Sequence, residues 1–308
     1  MSNSVKIVAF ANDAKEPMLI NLVRSLEKYN YDYKIVGIGS KWEGFMTKIK
    51  GYLEYTKTLD PNQLVVITDA YDVLATGPPG ELISNYKSYG KPLVVGAESY
   101  CGKNCIPVDK WWNSEKGKER EKGKLRYVNS GFFMGPAYII TKTLNYMVSL
   151  GISDDQEALC IYVNDYPDSV SLDINAHLIS NITPFDFRYL DYDFNKNRIV
   201  NKLTDTYPAF VHTPGKTGDL MIRTNYVGSH VLGEDYSLTP TNSTFNELIN
   251  KFPTFVMKNF TIIFFVFALI VIILILLVAY APLLLIPAIV IIAMGLTLMV
   301  VLYRQRMI

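Results

Sequence analysis

The sequence lacks several things that would settle its class at once. It has no excess of either charge: 30 Lys and Arg stand against 29 Asp and Glu, for a net charge of +1 over 308 residues. With 49% hydrophobic residues, that excludes a basic nucleic-acid binder and a disordered acidic tail. Cysteine is scarce, with only Cys101, Cys105 and Cys160, so there is no disulfide framework. The spacing of Cys101 and Cys105 leaves a single disulfide, half of a metal site or plain thiols open, and plain thiols are the default. A secretory leader is lacking too, because the first apolar run, "IVAFA", is too short for a signal core and reads better as part of a strand.

The most informative shortage is local. From Phe260 to Tyr303 there is no Asp, Glu, Lys or Arg. As one helix those residues would run about 66 Å, roughly twice a hydrocarbon core of ~30 Å. Two spans fit instead, 260–280 and 283–303, joined at Ala281-Pro282, where proline suits a turn. The expected organisation is a domain over 1–240, a linker over 241–259 and a two-helix transmembrane hairpin over 260–303. A hairpin puts both its ends on one side, and Lys258, Arg304 and Arg306 then place the N-terminal domain on the cytosolic face. Glycosylation triplets at Asn181, Asn242 and Asn259 would favour the lumen if used, but such triplets are common by chance.

What remains is a near-neutral domain large enough for one sizeable core. Apolar runs at 5–10, 33–39, 63–70 and 92–99 alternate with helical patterns at 16–29, 45–59 and 79–89. That rhythm predicts a three-layer α/β fold with a mostly parallel sheet, whose ligands bind beyond the carboxyl ends of the strands. Asp69 and Asp72 in "VVITDAYDVL" fall at one such end. Two carboxylates there suit Mg²⁺ or Mn²⁺, although capping of a turn is an equally good reading of these residues alone. "GKT" at 215–217 is not a nucleotide P-loop, since Phe210 stands where that motif needs glycine. A phosphatase acid pair also fails, because its two acids stand two apart and these stand three apart.

Seven stretches occur in an order seen elsewhere: "GIGSKWEG", "VITDAYDVLATGPPGELI", "GAESYC", "RYVNSGFFMGPA", "SDDQ", "FVHTPGKT" and "NYVGSHV". Together they resemble the glycosyltransferase domain of the procollagen lysyl hydroxylases, over most of residues 5–231. The resemblance implies a GT-A fold and a Mn²⁺-dependent transferase that moves glucose or galactose from a UDP-sugar to an acceptor hydroxyl on a protein or a glycan, which in that family is hydroxylysine. Of the two metals, Mg²⁺ is the substitute. Asp69, Asp72 and His212 match the family's metal ligands, and Trp42 its uridine-stacking position. Gly215 and Lys216 fall beside the diphosphate, Asn129 faces the donor sugar, and Asp154 or Asp155 orients the acceptor or acts as base. "SDDQ" also fits a helix capping box, with Ser153 as cap and Gln156 as its partner. "WEGF" departs from the family's tryptophan, paired glycines and acid, which puts the nucleotide contacts of that loop in doubt. The chain has no room for the hydroxylases' iron dioxygenase region. The competing readings are an inactive membrane-anchored scaffold and a metal-dependent phosphohydrolase or nucleotidyltransferase. The partners implied are the UDP-sugar, the acceptor and membrane lipid, with no nucleic acid.

Overall fold

The structure is a computed structural model that describes residues 4–100, 108, 111, 125–183, 186–214 and 217–236. All fall in the first of two units into which the chain divides, Met1–Pro240. The two expected membrane spans lie outside the described residues, and among the described residues no helix is long and apolar enough to cross a membrane.

The centre is a six-stranded sheet in the order β2-β1-β3-β6-β5-β7. It is built from β1 (Val5–Phe10), β2 (Asp32–Val36), β3 (Leu64–Thr68), β5 (Leu93–Glu98), β6 (Tyr127–Pro136) and β7 (Val170–Asp173). β1 pairs in parallel with β2 and β3, and β5 with β7. Burial on both faces explains why β3 and β5 are near-continuous apolar runs. Val8, Val65, Ile67 and Val95 pack on the side of α2 (Phe45–Thr56), α4 (Ala137–Ser149) and α5 (Asp155–Asp165). Ile7, Ala9, Leu64 and Val66 pack on the side of α1 (Pro17–Lys28) and α3 (Pro79–Ser88). Each such aliphatic side chain contributes roughly 1.5–3 kcal/mol by leaving water. The expected three-layer, mostly parallel arrangement is thus present, and the strands and helices predicted between residues 5 and 99 form within a few residues of their expected bounds.

Two further features position the site. β6 runs antiparallel to both β3 and β5, so its first residues lie beside the carboxyl ends of its neighbours. Its register against β5 breaks between Val95 and Ala97, a bulge that leaves Asn129 to Phe132 without partners on β5, while Phe132 still pairs with Thr68 of β3. A second sheet of three strands then returns the chain to the acids. β4 (Val73–Ala75) follows Asp72 directly, and β11 (Phe210–His212) pairs with it antiparallel and with β8 (Ile179–Asn181) in parallel. β9 (Leu190–Asp193) and β10 (Arg198–Asn201) form a separate hairpin, and α6 (Thr217–Leu232) closes the described chain.

Candidate active site

β3 ends at Thr68, and Asp69 and Asp72 lie on the turn into β4. The turn is clamped on both sides: Asp69 N–H donates to the Gly131 carbonyl at 3.0 Å, and Thr213 N–H to the Asp72 carbonyl at 2.8 Å. Tyr52 of α2 fixes the strand ends by donating to the Thr68 carbonyl at 2.8 Å and accepting from Phe10 N–H at 3.2 Å. Register then brings His212 opposite Val73, next to the acids. Its Nε2 lies 3.1 Å from Asp72 Oδ2 and 3.9 Å from Asp69 Oδ2. The three residues offer ligand atoms within 4.8 Å of one another. His212 Nε2 is buried and, apart from the Asp72 carboxylate it faces, has no hydrogen-bond partner. An orphaned ring nitrogen facing two carboxylates is the donor set of a divalent cation, so the residues fit the metal that the sequence led us to expect. Burial works against the imidazolium, yet Asp72, and beyond it Asp69 and Glu98, hold the His212 pKa above its usual value. Asp72 is itself held low, burial being outweighed by His212.

A Cβ at Gly131 would lie 2.4 Å from His212 Cε1, so the glycine makes room for the ligand ring.

The acidic pair at 154 and 155 divides its roles. Asp154, not Ser153, is the N-cap of α5, its Oδ1 accepting from Glu157 N–H at 2.9 Å. The helix begins one residue later than the capping box required, so Gln156 does not close a box and reaches Glu98 Oε1 at 3.3 Å instead. Asp155 is buried and turned inward, with Oδ2 2.9 Å from Lys48 Nζ. Lys48 also lies 2.6 Å from Asp69 Oδ1, and so bridges an expected metal ligand to an expected catalytic acid. Burial would lower the lysine's pKa, but Asp69 and Asp155 raise it well above the usual value. The sequence reading missed Lys48. Its signal was its place on the buried stripe of α2, beside Ile49, Tyr52 and Leu53.

The bulge of β6 aims Asn129 at a second missed residue. Asn129 Nδ2 donates to Glu98 Oε2 at 2.9 Å, while its Oδ1 accepts from Gly131 N–H. Burial pushes Glu98 up to about 7, against the pull of Asn129, His212 and Gln156. An acid whose folded pKa is raised binds a proton that the unfolded chain has already released, so stability falls as pH rises from 4.5 to about 7. His212 acts in the same direction, since its raised pKa contributes stability below 6.5 that is lost as pH climbs through the folded value. The metal-free protein is therefore expected to unfold more easily at pH 8 than at pH 5, by about 3 kcal/mol from Glu98 alone. Urea titrations of wild type and Glu98→Gln at both pH values check this, and the variant should lose most of the difference. An equal difference in both proteins would remove Glu98 as its source.

Beside the triad opens a cleft of about 470 Å³, lined by Phe10, Asn12, Trp42, Phe45, Tyr71 and the two acids, among others. Trp42 is 45% exposed, with its ring 6.0 Å from that of Phe10 and 5.9 Å from that of Phe45, so a flat face stands at the mouth. Tyr71 donates to Asn12 Oδ1 at 2.8 Å and closes the inner wall. Gly215 and Lys216 lie outside the described residues. A larger hollow of about 1040 Å³ sits by Leu64, Pro92 and Pro136, at the opposite ends of these strands from the acids and without a cluster of convergent acids and histidine.

Residues 1–236 match the family described as the PLOD GT domain, which gives the chain a glycosyltransferase domain over most of its length. The multifunctional procollagen lysine hydroxylase and glycosyltransferase LH3 of Homo sapiens is 30% identical over 230 residues, 69% of this chain and 29% of that protein. The LH3 of Pongo abelii matches to the same extent, so the chain spans less than a third of the length of these relatives. An uncharacterized protein, R699, of Acanthamoeba polyphaga mimivirus is 27% identical, over 79% of this chain and 51% of its own. The solved galactosyltransferase LgtC shares 14% identity over 79% of this chain and 99% of its own, at a TM-score of 0.45, too low for its residues to be carried across.

Proposed function

We propose, because the chain belongs to the PLOD GT domain family, that it transfers a hexose, glucose or galactose, from a UDP-sugar to an acceptor hydroxyl. The observation that carries this is the convergence of Asp69, Asp72 and His212 at the mouth of a cleft with an aromatic wall. Asp69, Asp72 and His212 would hold a divalent cation, Mn²⁺ or in its place Mg²⁺. Bound there, the cation would supply Lewis-acid neutralisation of a diphosphate leaving group.

The chain's own residues account for the rest. Trp42 and Phe45 offer faces on which a uracil ring stacks, and Tyr71 with Asn12 limits the depth to which it enters. Gly215 and Lys216, three and four residues after His212, follow the ligand strand closely enough to serve the diphosphate, the lysine as a point charge. Asn129, buried and with its amide held between Glu98 and Gly131 N–H, would brace the wall on the side of the sugar. Asp155 is the acid we assign to the acceptor hydroxyl, because Lys48 joins it to Asp69 of the triad while Asp154 is engaged as a helix cap. Lys48, 2.9 Å from Asp155 Oδ2, would hold that carboxyl in place. Most of the acceleration in this scheme comes from positioning and charge stabilisation.

The segments 260–280 and 283–303 would anchor the domain, with the catalytic face toward the cytosol and lipid as the second partner. Hydroxylysine as acceptor would require the opposite, lumenal orientation, so a cytosolic protein or glycan hydroxyl is the acceptor we propose.

The test is UDP release from a panel of UDP-sugars by the full chain in detergent, with Mn²⁺, with Mg²⁺ and with chelator. Cation-dependent release from one hexose donor is expected. Absence of release from every donor, together with no UDP binding in Mn²⁺, would leave a scaffold. Release of phosphate or pyrophosphate in place of UDP would make the enzyme a hydrolase or nucleotidyltransferase.

A further inference from the structure

Asn181 opens the triplet "NIT", which has the form of a glycosylation site, but its place in the structure gives it another task. The residue is 1% exposed and sits on β8, paired in parallel register with His212 of β11. Both ends of its amide are engaged. Nδ2 donates to the Ala97 carbonyl of β5 at 2.9 Å, and Oδ1 lies 2.8 Å from His212 Nδ1. A glycan could not be attached here without opening the strand.

The orientation of the amide follows from its first partner. A backbone carbonyl only accepts, so the nitrogen end must face Ala97 and the oxygen end must face the histidine. An amide oxygen also only accepts, so the proton of a neutral His212 must reside on Nδ1. That leaves the lone pair on Nε2, the atom that faces Asp69 and Asp72. The alternative tautomer would put N–H on Nε2, where it would satisfy Asp72 and ligate nothing. It would also set two acceptors against each other at Nδ1, a buried mismatch that no cation relieves, whereas the lone pair turned toward Asp72 in the other tautomer is the one a cation between them would take up. Neither ring nor amide has room to turn away. A Cβ on Gly131 would overlap the ring, and one on Gly96 would come within 3.1 Å of Asn181 Nδ2.

We infer that Asn181 is a positioning residue that selects the metal-ligating tautomer of His212, through a chain from the Ala97 carbonyl to the orphaned Nε2. The inference rests on the metal reading of the triad, and it deepens that reading by assigning the group that prepares one ligand before any cation arrives. Partners of this kind, which hold the far nitrogen of a ligating histidine, are usually worth about 10- to 100-fold in metal affinity.

Two readouts on the full chain in detergent test it. The first needs no metal. ¹⁵N-histidine NMR of the chelated protein at alkaline pH, with the His212 signal assigned by its loss in His212→Gln, should show the proton on Nδ1. A proton on Nε2 would overturn the inference in the unaltered protein, whatever any variant does. The second is Mn²⁺ affinity by electron paramagnetic resonance. Asn181→Ala should weaken binding about 10- to 100-fold, with His212 becoming a mixture of tautomers. Asn181→Ala binding as wild type does, with its tautomer unchanged, would overturn the inference. Failure of the wild type to bind Mn²⁺ would sink the metal reading and leave the tautomer result standing by itself.

Discussion

Replacing Asp72 with alanine is expected to lower UDP release from the preferred donor about 10³-fold, the rate equivalent of some 4 kcal/mol of lost charge stabilisation. Asp72 Oδ2 is the carboxylate oxygen nearest His212 Nε2, at 3.1 Å, so its removal opens the triad at its tightest point. The loss should be in kcat more than in the binding of free uridine, because the stacking surface of Trp42 and Phe45 is untouched. Fold integrity is a fair expectation for this variant. The backbone carbonyl of Asp72, which accepts from Thr213, remains, and the side chain lies on a turn. Steady-state assays at saturating Mn²⁺, beside a melting curve, are the check. Retention of a tenth or more of the wild-type rate would mean that Asp69 and His212 suffice, and that Asp72 serves the turn.

The largest effect on stability should come from Lys48→Met. The lysine side chain is 10% exposed and that of Asp155 only 6%, and apart from this 2.9 Å ion pair Asp155 Oδ2 makes no hydrogen bond. Methionine keeps the volume and removes the charge, so Asp155 would be left buried without compensation, at a cost of about 3–5 kcal/mol. The double variant Lys48→Met with Asp155→Asn removes both charges and should recover most of that loss, while remaining as inactive as either single variant. Urea denaturation of the three variants provides the cycle. A single-variant loss below about 1 kcal/mol would show that water reaches Asp155 and that the bridge is decoration.

The sequence made the alternating half of the domain legible because its parallel strands are buried on both faces and read as unbroken apolar runs. β6 escaped that reading. "YVNSGFFMGP" carries Asn, Ser and two glycines, the marks of a loop, and only its bulge and its antiparallel pairing explain why they belong in a strand. Asp69, Asp72 and His212 were found through motif order, and the structure supplies the reason they meet: β4 and β11 are paired, though more than a hundred residues separate them. Lys48 and Glu98 were passed over for a common reason. Each is a charged residue on an otherwise apolar element, and its value depends on what the next element places opposite, which no local pattern encodes. Asp154 was misjudged by one residue at a helix start, where two adjacent acids and a serine all have capping chemistry. Asn181 was hidden by its own triplet, because a string of three residues says nothing about burial.

The pairing of β5 with β6 has a consequence for how much the chain between them could vary. Glu98, the last residue of β5, is in register with Tyr127, the first of β6, so the chain leaves the sheet and re-enters it at neighbouring points beside the catalytic cleft. Between them run residues 99–126, tacked down where the Trp111 indole donates to the Val170 carbonyl. An excursion whose two ends are already adjacent adds little closure entropy when it lengthens, since doubling it costs only about 0.6 kcal/mol. The triad draws its ligands from the turn after β3 and from β11, so none of them depends on the wording of that excursion. Residues 99–126 could therefore change in length without moving Asp69, Asp72 or His212.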